Sequence, residues 1–322
     1  MMAEGDFPKT DGDVLYANEP VEDIFAYLDG STFDEGDVTI AAGATIYGTH
    51  VYSSLTIDPG QTLTLGLSGT YDWGTQIICL GNLTNNGTIT SNTVARTEVQ
   101  RTELTGNENG TWKAGGVSGG IVMIHCYGNV DNNSTIQVNG GNPAASGTSD
   151  LNNVDDGGGG GSLFTAGGAD GSGGQTGGTA ATDKTGLLLG RPLRSGNGGR
   201  FGSQNNGAFG EGGGGGGAGG TIILNVRGNL DNTGGTLSST GGTGGNGDAA
   251  AGDDTDGGGG GAGGFIFTSV GGTLTAGTRT VTGGAGGTGN LAGSAGAAGT
   301  AGEVVDYAKG FLKRAVMGWN PT

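Results

Sequence analysis

Cysteine, histidine, proline, aromatic and basic residues are all scarce in this chain of 322 residues. Two cysteines cannot build a disulfide framework, and two histidines exclude a histidine-rich metal site. Lysine and arginine total 13 against 30 acidic residues, a formal charge of −17, and the basic residues are scattered. A phosphate backbone needs them clustered, so nucleic acid is not an expected partner. No apolar run approaches the ~18 residues of a spanning helix, so no membrane insertion is expected. The acidic start, Met1-Met2-Ala3-Glu4-Gly5-Asp6, lacks the basic and apolar regions of a secretory signal. A protein of this kind that works outside a cell would leave by another route, such as particle release. Aromatics make up 6% and hydrophobic residues 33%, too little for a helical enzyme with one thick core.

What the chain has instead is glycine, 80 residues of it. Glycine and apolar residues are segregated. Val38-Thr39-Ile40 and Ala44-Thr45-Ile46 flank a turn at Gly43, and Leu55-Thr56-Ile57 and Leu63-Thr64-Leu65 flank Asp58-Pro59-Gly60-Gln61. Proline presets φ and glycine accepts φ > 0, so the second is a turn with a mechanism. Period-two blocks cut by short turns read as β-strands.

A repeat narrows the architecture. Ile77–Ile89 is echoed by Ile124–Ile136, by Leu224–Leu237 and, more weakly, from Thr268 to Val281. Each copy reads as a strand, a Gly-Asn or Gly-Gly kink, a short turn and a second strand. Alternate positions then form inward columns: Thr75, Val122, Ile222 and Ile266; Ile77, Ile124, Leu224 and Thr268; Cys79, Cys126, Val226 and Val270; Leu83, Val130, Leu230 and Leu274. One copy buries too little to fold, but stacked copies share a narrow apolar core.

Long glycine-rich segments separate the copies, at roughly 140–219, 241–264 and 283–302, and the last has glycine at 283, 286 and 289 and again at 293, 296, 299 and 302. Three residues per turn is the polyproline-II period, which glycine also adopts. Two readings stand: flexible linkers, or packed polyglycine-II helices that pair backbone with backbone.

The expected fold is therefore all-β: stacked β-strand repeats, solenoid or sandwich-like, with glycine-rich, partly polyglycine-II segments and short terminal helices. The segments are 1–36; a β-strand domain at 37–74; a glycine-rich repeat domain at 75–302, with rungs near 75–89, 121–138, 221–237 and 265–281; and a C-terminal helix at 303–322. Asn18–Leu28, with an Asn cap, early acids and apolar positions 21, 24, 25 and 28, predicts a helix. Val304, Ala308, Phe311, Leu312 and Ala315 predict another over Glu303–Val316.

Chemistry-bearing residues are few. His125 lies between inward columns and so faces outward. Neither it nor His50 has a serine and carboxylate at recognisable spacing. Cys79 and Cys126 become neighbours if the first two rungs stack, either as a thiol pair or as small hydrophobes. Acidic groups adjoin glycine runs at Asp155-Asp156, Glu211, Asp253-Asp254 and Asp256, and Gly244–Asp248 faintly resembles a calcium-binding repeat. Solvated acidic loops account for both, and no cofactor or metal is expected. Phe164, Arg191, Arg194, Arg200, Phe201 and Phe209 cluster in the longest glycine-rich excursion, and aromatics with arginine are the types that anchor interfaces.

The alternation of glycine runs with strand, Gly-Asn kink, turn and strand resembles the glycine-rich adhesins at tail-fibre tips of T-even-like phages. The opening Phe7–Tyr16 is similar to the N-termini of phage fibre proteins that attach to a virion. Residues 37–67 depart from the short adhesin pattern. The resemblance implies a non-enzymatic virion protein whose variable loops recognise a host-surface receptor, a glycan or a protein; Phe164, Arg191, Arg194, Arg200, Phe201 and Phe209 are the contacts expected from their residue types, local packing of that loop onto the stack being the alternative. The resemblance also implies docking to other tail or fibre proteins through residues 1–30, with Val14, Tyr16, Ile24, Phe25 and Leu28 buried against a partner, and a homo-oligomer. A non-viral cell-surface adhesin or sheath protein and a glycan-degrading tailspike are the alternatives. The acidic balance is compatible with a salt-loving source.

Overall fold

The computed structural model describes residues 34–66, 75–91, 116–143, 167–169, 213–247 and 256–308. The N-terminal helix expected at 18–28 lies outside them. Every regular element among the described residues is a strand. β1 (Asp37–Ile40), β4 (Ser54–Ile57), β7 (Leu83–Asn85), β10 (Val130–Asn132), β13 (Leu230–Asp231) and β16 (Leu274–Thr275) form the first sheet. β2 (Ala44–Tyr47), β5 (Thr62–Gly66), β8 (Thr88–Ser91), β11 (Thr135–Gln137), β14 (Thr236–Ser238) and β17 (Thr278–Thr280) form the second. β3 (Thr49–Tyr52), β6 (Gln76–Cys79), β9 (Ile121–Cys126), β12 (Thr221–Val226), β15 (Phe265–Val270) and β18 (Glu303–Ala308) form the third. All pairings are parallel, and the chain visits the sheets in the order first, second, third, six times. The molecule is a three-sided β-solenoid of six rungs.

The inward columns read from the repeat are the core. Ile77, Ile124, Leu224 and Thr268 pair in register and are fully buried. So do Leu83, Val130 and Leu230, with Leu274 half-buried at the end. Each rung has three sides rather than two, because what reads as a turn and one strand is two short strands. Residues 37–66 are not a separate domain either. β4 pairs with β7, β5 with β8 and β3 with β6, so they are the first rungs of the same stack.

The corners explain the Asn-rich repeat. Between the third and first sheets the chain turns in three residues at 80–82, 127–129, 227–229 and 271–273. Here asparagine side chains continue the ladder that the turn interrupts. Asn82 Oδ1 accepts from the Asn129 amide (2.8 Å), Asn129 Oδ1 from the Asn229 amide (2.9 Å), and Asn229 Oδ1 from the Thr273 amide (2.8 Å). Between the first and second sheets a buried ladder does the same work inside. Asn85 Nδ2 donates to Asn132 Oδ1 (2.7 Å) and Asn132 Nδ2 to Asn232 Oδ1 (2.5 Å). Asn232 Nδ2 ends this ladder without a partner, the next position being Ala276. Buried amides need such partners, since an unmade hydrogen bond costs about 1–3 kcal/mol. The Asp58–Gln61 turn forms as expected, with Gly60 at φ 75° and the Gln61 amide on the Asp58 carbonyl at 3.1 Å.

The corner between the second and third sheets behaves differently. In the first rung it is Gly48 alone, at φ 86°. From the second rung on it opens, into 67–75, 92–120, 138–220, 239–264 and 281–302. The described parts of these excursions are packed. Outgoing segments 138–143, 239–247 and 281–289 form one layer, and returning segments 116–120, 213–220, 256–264 and 293–302 form the other. Within a layer the segments run parallel: Gly241, Gly244 and Gly247 amides donate to the carbonyls of Thr282, Ala285 and Thr288, and Gly257, Gly260 and Gly263 to those of Ser294, Ala297 and Thr300. Between layers they run antiparallel: Gly258, Gly261 and Gly264 donate to Gly245, Gly242 and Ser239. Donors recur every third residue, the repeat of polyglycine II.

This two-layer slab explains the composition. A Cβ on Gly241 would stand 2.0 Å from the Gly261 oxygen, on Gly260 2.1 Å from the Gly284 oxygen, and on Gly261 2.0 Å from the Gly217 oxygen. Two of every three positions therefore face a neighbouring backbone and admit only glycine. On the outgoing layer the third position faces solvent and carries Asn142, Thr243, Asn246, Thr282, Ala285 or Thr288. Asn142 and Asn246 use it to accept the Thr243 and Thr288 amides at 2.9 Å. At the slab's last edge the rule relaxes. Ala295, Ala298 and Ala301 stand at the position that Gly257, Gly260 and Gly263 fill one rung earlier, and they are exposed. Val117 is the corresponding side chain at the first edge.

The C-terminal rung differs from its sequence reading. Glu303–Ala308 is a strand paired in register with β15, not the start of a helix. Val304 continues the inward column of Ile266, and β15 offers six main-chain partners that an isolated helical turn lacks. Residues 309–322 lie outside the described residues. This rung also ends the apolar core. Arg279 succeeds Leu237 and Asp306 succeeds Thr268, and the two meet across the interior at 2.8 Å, with Thr268 donating to Asp306.

Close packing makes the two glycine environments separable. Gly261→Ala should lower stability by ~1–3 kcal/mol or more, because backbone rather than a side chain must move. Ala298→Gly, at the open edge, should cost under ~1 kcal/mol. Thermal melts of both variants check this, and equal losses would overturn the slab packing.

Candidate functional site

The described glycine segments leave the solenoid at one corner of the stack and run out side by side. The outgoing segments are described as far as 143, 247 and 289 and the returning ones from 116, 213, 256 and 293, each of these positions lying away from the solenoid. A segment of nine residues at ~3.1 Å per residue sets its far end roughly 25 Å out. Two further described features adjoin the slab, the first against its middle and the second at its end. Residues 167–169 lie against the returning layer, with the Gly168 amide on the Gly260 carbonyl and the Ala297 amide on the Ala169 carbonyl, both at 2.8 Å. The longest excursion is thus tied to the slab at that point. Asn290–Gly293 is a single turn closed by the Gly293 amide on the Asn290 carbonyl at 2.7 Å. Phe164, Arg191, Arg194, Arg200, Phe201 and Phe209 belong to the longest excursion but lie outside the described residues, as do Val14, Tyr16, Ile24, Phe25 and Leu28.

Groups with intrinsic reactivity are held in structural roles. Cys79 and Cys126 are in register on adjacent rungs, both free and buried. Burial raises both thiols, Cys126 to about 11 and Cys79 further, so neither is a thiolate near neutral pH. Cys126 donates to the carbonyls of Gly81 (3.2 Å) and Asn129 (3.4 Å). They pack as small hydrophobes. His50 directs Nδ1 to the Glu35 carboxylate at 2.6 Å and Nε2 to the Tyr47 carbonyl at 3.2 Å. With both nitrogens facing fixed acceptors, it ties the first rung together rather than presenting a base.

Acidic residues follow the same pattern. Asp256 Oδ1 accepts the Ser294 amide at 2.5 Å, and Asn246 is spent on Thr288, so the stretch Gly244–Gly247 is slab rather than an ion-binding loop. Asp155, Asp156, Glu211, Asp248, Asp253 and Asp254 lie outside the described residues. Asp131 and Asp231 are in register on the outer side of the first sheet. A glycosidase needs one carboxyl of its pair raised. Asp231 is instead lowered, because the Thr233 hydroxyl and amide donate to it, and both residues are exposed.

The outer face of the third sheet was legible in direction but not in burial. His125 faces outward, opposite Ile124, yet it is only partly exposed, and its in-register neighbour Asn225 is buried. Ile223, Phe265 and Phe267 on the same face are buried too. Asn225 Nδ2 donates to His125 Nδ1 at 3.2 Å, which requires an unprotonated nitrogen there. Burial lowers the His125 pKa below its ordinary 6.5.

Comparison with protein-family models, with curated proteins and with solved structures finds no match to this chain.

The depressed His125 pKa fixes a sign. Below pH ~6.5 the unfolded chain takes a proton that the folded chain resists, so stability is complete above that value and falls on acidification. The melting temperature should drop between pH 6.5 and 5, and His125→Asn should flatten that slope. An unchanged slope would remove His125 from the pH response.

Proposed function

We propose that this chain is a tail-fibre or spike component of a tailed virus and carries host-surface recognition at the far end of its glycine slab. It is a binding and structural protein rather than an enzyme. One observation supports this most directly: glycine segments held to one another by backbone hydrogen bonds run out side by side from a single corner of the stack, the corner at which the non-repeating sequence is inserted. Recognition commonly resides in such insertions, because they change without disturbing the scaffold. The resemblance to glycine-rich fibre-tip adhesins points the same way. Residues 1–30 serve as the virion-attachment segment in this reading, and the acidic surface suits a particle from a salt-rich setting.

Within the longest excursion, the arginines are the groups suited to an anionic glycan or an acidic surface protein, through charge-assisted hydrogen bonds. Arg191→Ala, Arg194→Ala and Arg200→Ala together should reduce adsorption to host cells about tenfold or more. The melting temperature should change little, and added salt should weaken binding of the unaltered protein. Undiminished adsorption, or unfolding of the triple variant, would show that this excursion is structural. An antibody to the whole chain should decorate fibre or spike tips on particles. Particles that carry no label would overturn the virion assignment.

A further inference from the structure

The turn Asn290–Gly293 holds a side chain where glycine is expected. Leu291 is its first central residue, at φ 50°, and is the only non-glycine residue at positive φ among the described residues. A side chain there brings Cβ against the following carbonyl oxygen, and hairpin turns of this sense take glycine at that position. The chain has 80 glycines and places them at Gly36, Gly48 and Gly60 for the same conformation. Nor is the strain repaid by packing, since Leu291 is 68% exposed, more than Tyr47 or Tyr307. Its own segment is uncharged: from Val281 to Gly302 there is no Asp, Glu, Lys or Arg, in a chain of net charge −17, and the nearby Asp256 carboxylate is engaged by the Ser294 amide. The turn stands at the far end of the slab, in its last rung.

The geometry points to Leu291 as an apolar anchor that enters a hydrophobic pocket of a host-surface protein. This rests on the attachment reading above and names a contact and a receptor class for it. An aliphatic side chain offers nothing to the hydroxyls of a glycan, whereas a neutral pocket can enclose it. A residue already fixed by its turn also loses little freedom on binding.

The test uses the full-length protein with Leu291→Gly, Leu291→Asn and Leu291→Met, measuring binding to host cells and thermal stability. Glycine and asparagine tolerate positive φ, so both variants should melt at or above the unaltered temperature. Their binding should fall about tenfold, as for one lost buried leucine, while the methionine variant keeps most of it. Protease treatment of the cells should abolish binding. Undiminished binding by the glycine and asparagine variants would overturn the anchor and leave attachment standing. Binding that survives protease but not glycan removal would overturn the protein receptor. Failure of the unaltered protein to bind host cells would overturn the attachment reading itself.

Discussion

Every level of this structure depends on the main-chain hydrogen bond from one rung to the rung above. In the sheets it joins Thr221 to Phe265 and Ile222 to Ile266 in register. In the slab it joins Gly219 to Ala262 and Gly216 to Gly259 with the same sense and nearly the same offset. The slab is the same stack continued past the point where side chains stop filling the interior. A buried amide must be paired wherever it lies, and both halves meet that demand with chains repeating alongside chains. They differ in what fills the space between layers: isoleucine, leucine and valine columns in one, and backbone against backbone in the other. Glycine loses the most conformational freedom on folding. That cost is accepted because no other residue lets the layers approach so closely.

The three corners divide the work. Two are pinned by asparagine ladders, Asn82–Asn129–Asn229 outside and Asn85–Asn132–Asn232 within. An insertion at either would break a run of hydrogen bonds through the stack. The corner that is Gly48 alone in the first rung is the one that lengthens in later rungs. Long excursions are thermodynamically tolerable, since loop closure costs little more as length grows. The architecture thereby confines the long insertions to one corner of the stack.

What the sequence disclosed follows from this. The columns were legible because alternation and the Gly-Asn kink recur, and register then places Ile124 beneath Leu224 without further information. The third side of each rung was not, because β7 and β8 are separated by only Asn86-Gly87 and read as a turn with one strand. Val304 and Ala308 fit a helical spacing as well as an alternating one, and only the neighbouring β15 decides between them. The edge turn at Leu291 left no signal at all, since φ is not written in composition. Phe164, Arg191, Arg194, Arg200, Phe201 and Phe209 stand where no repeat constrains the chain, so periodicity had nothing to say about their placement.

The slab's edges raise a problem that ordinary sheets solve with charge. An exposed edge of unpaired amides invites another chain, and sheets commonly deter it with lysine, proline or a bulge. A polyglycine slab has no interior side chains to dictate register, so any glycine helix of similar length is a potential addition. Residues 281–302 carry no charge with which to refuse it. The deterrent is steric instead. Ala295, Ala298 and Ala301 place three methyl groups along the line that the next outgoing segment would occupy, where Gly257, Gly260 and Gly263 leave room in the rung before. One methyl per turn is the smallest change that closes the edge, because the gap it fills is only about 2 Å at the equivalent glycines. The width of the slab is thus specified by where glycine gives way to alanine.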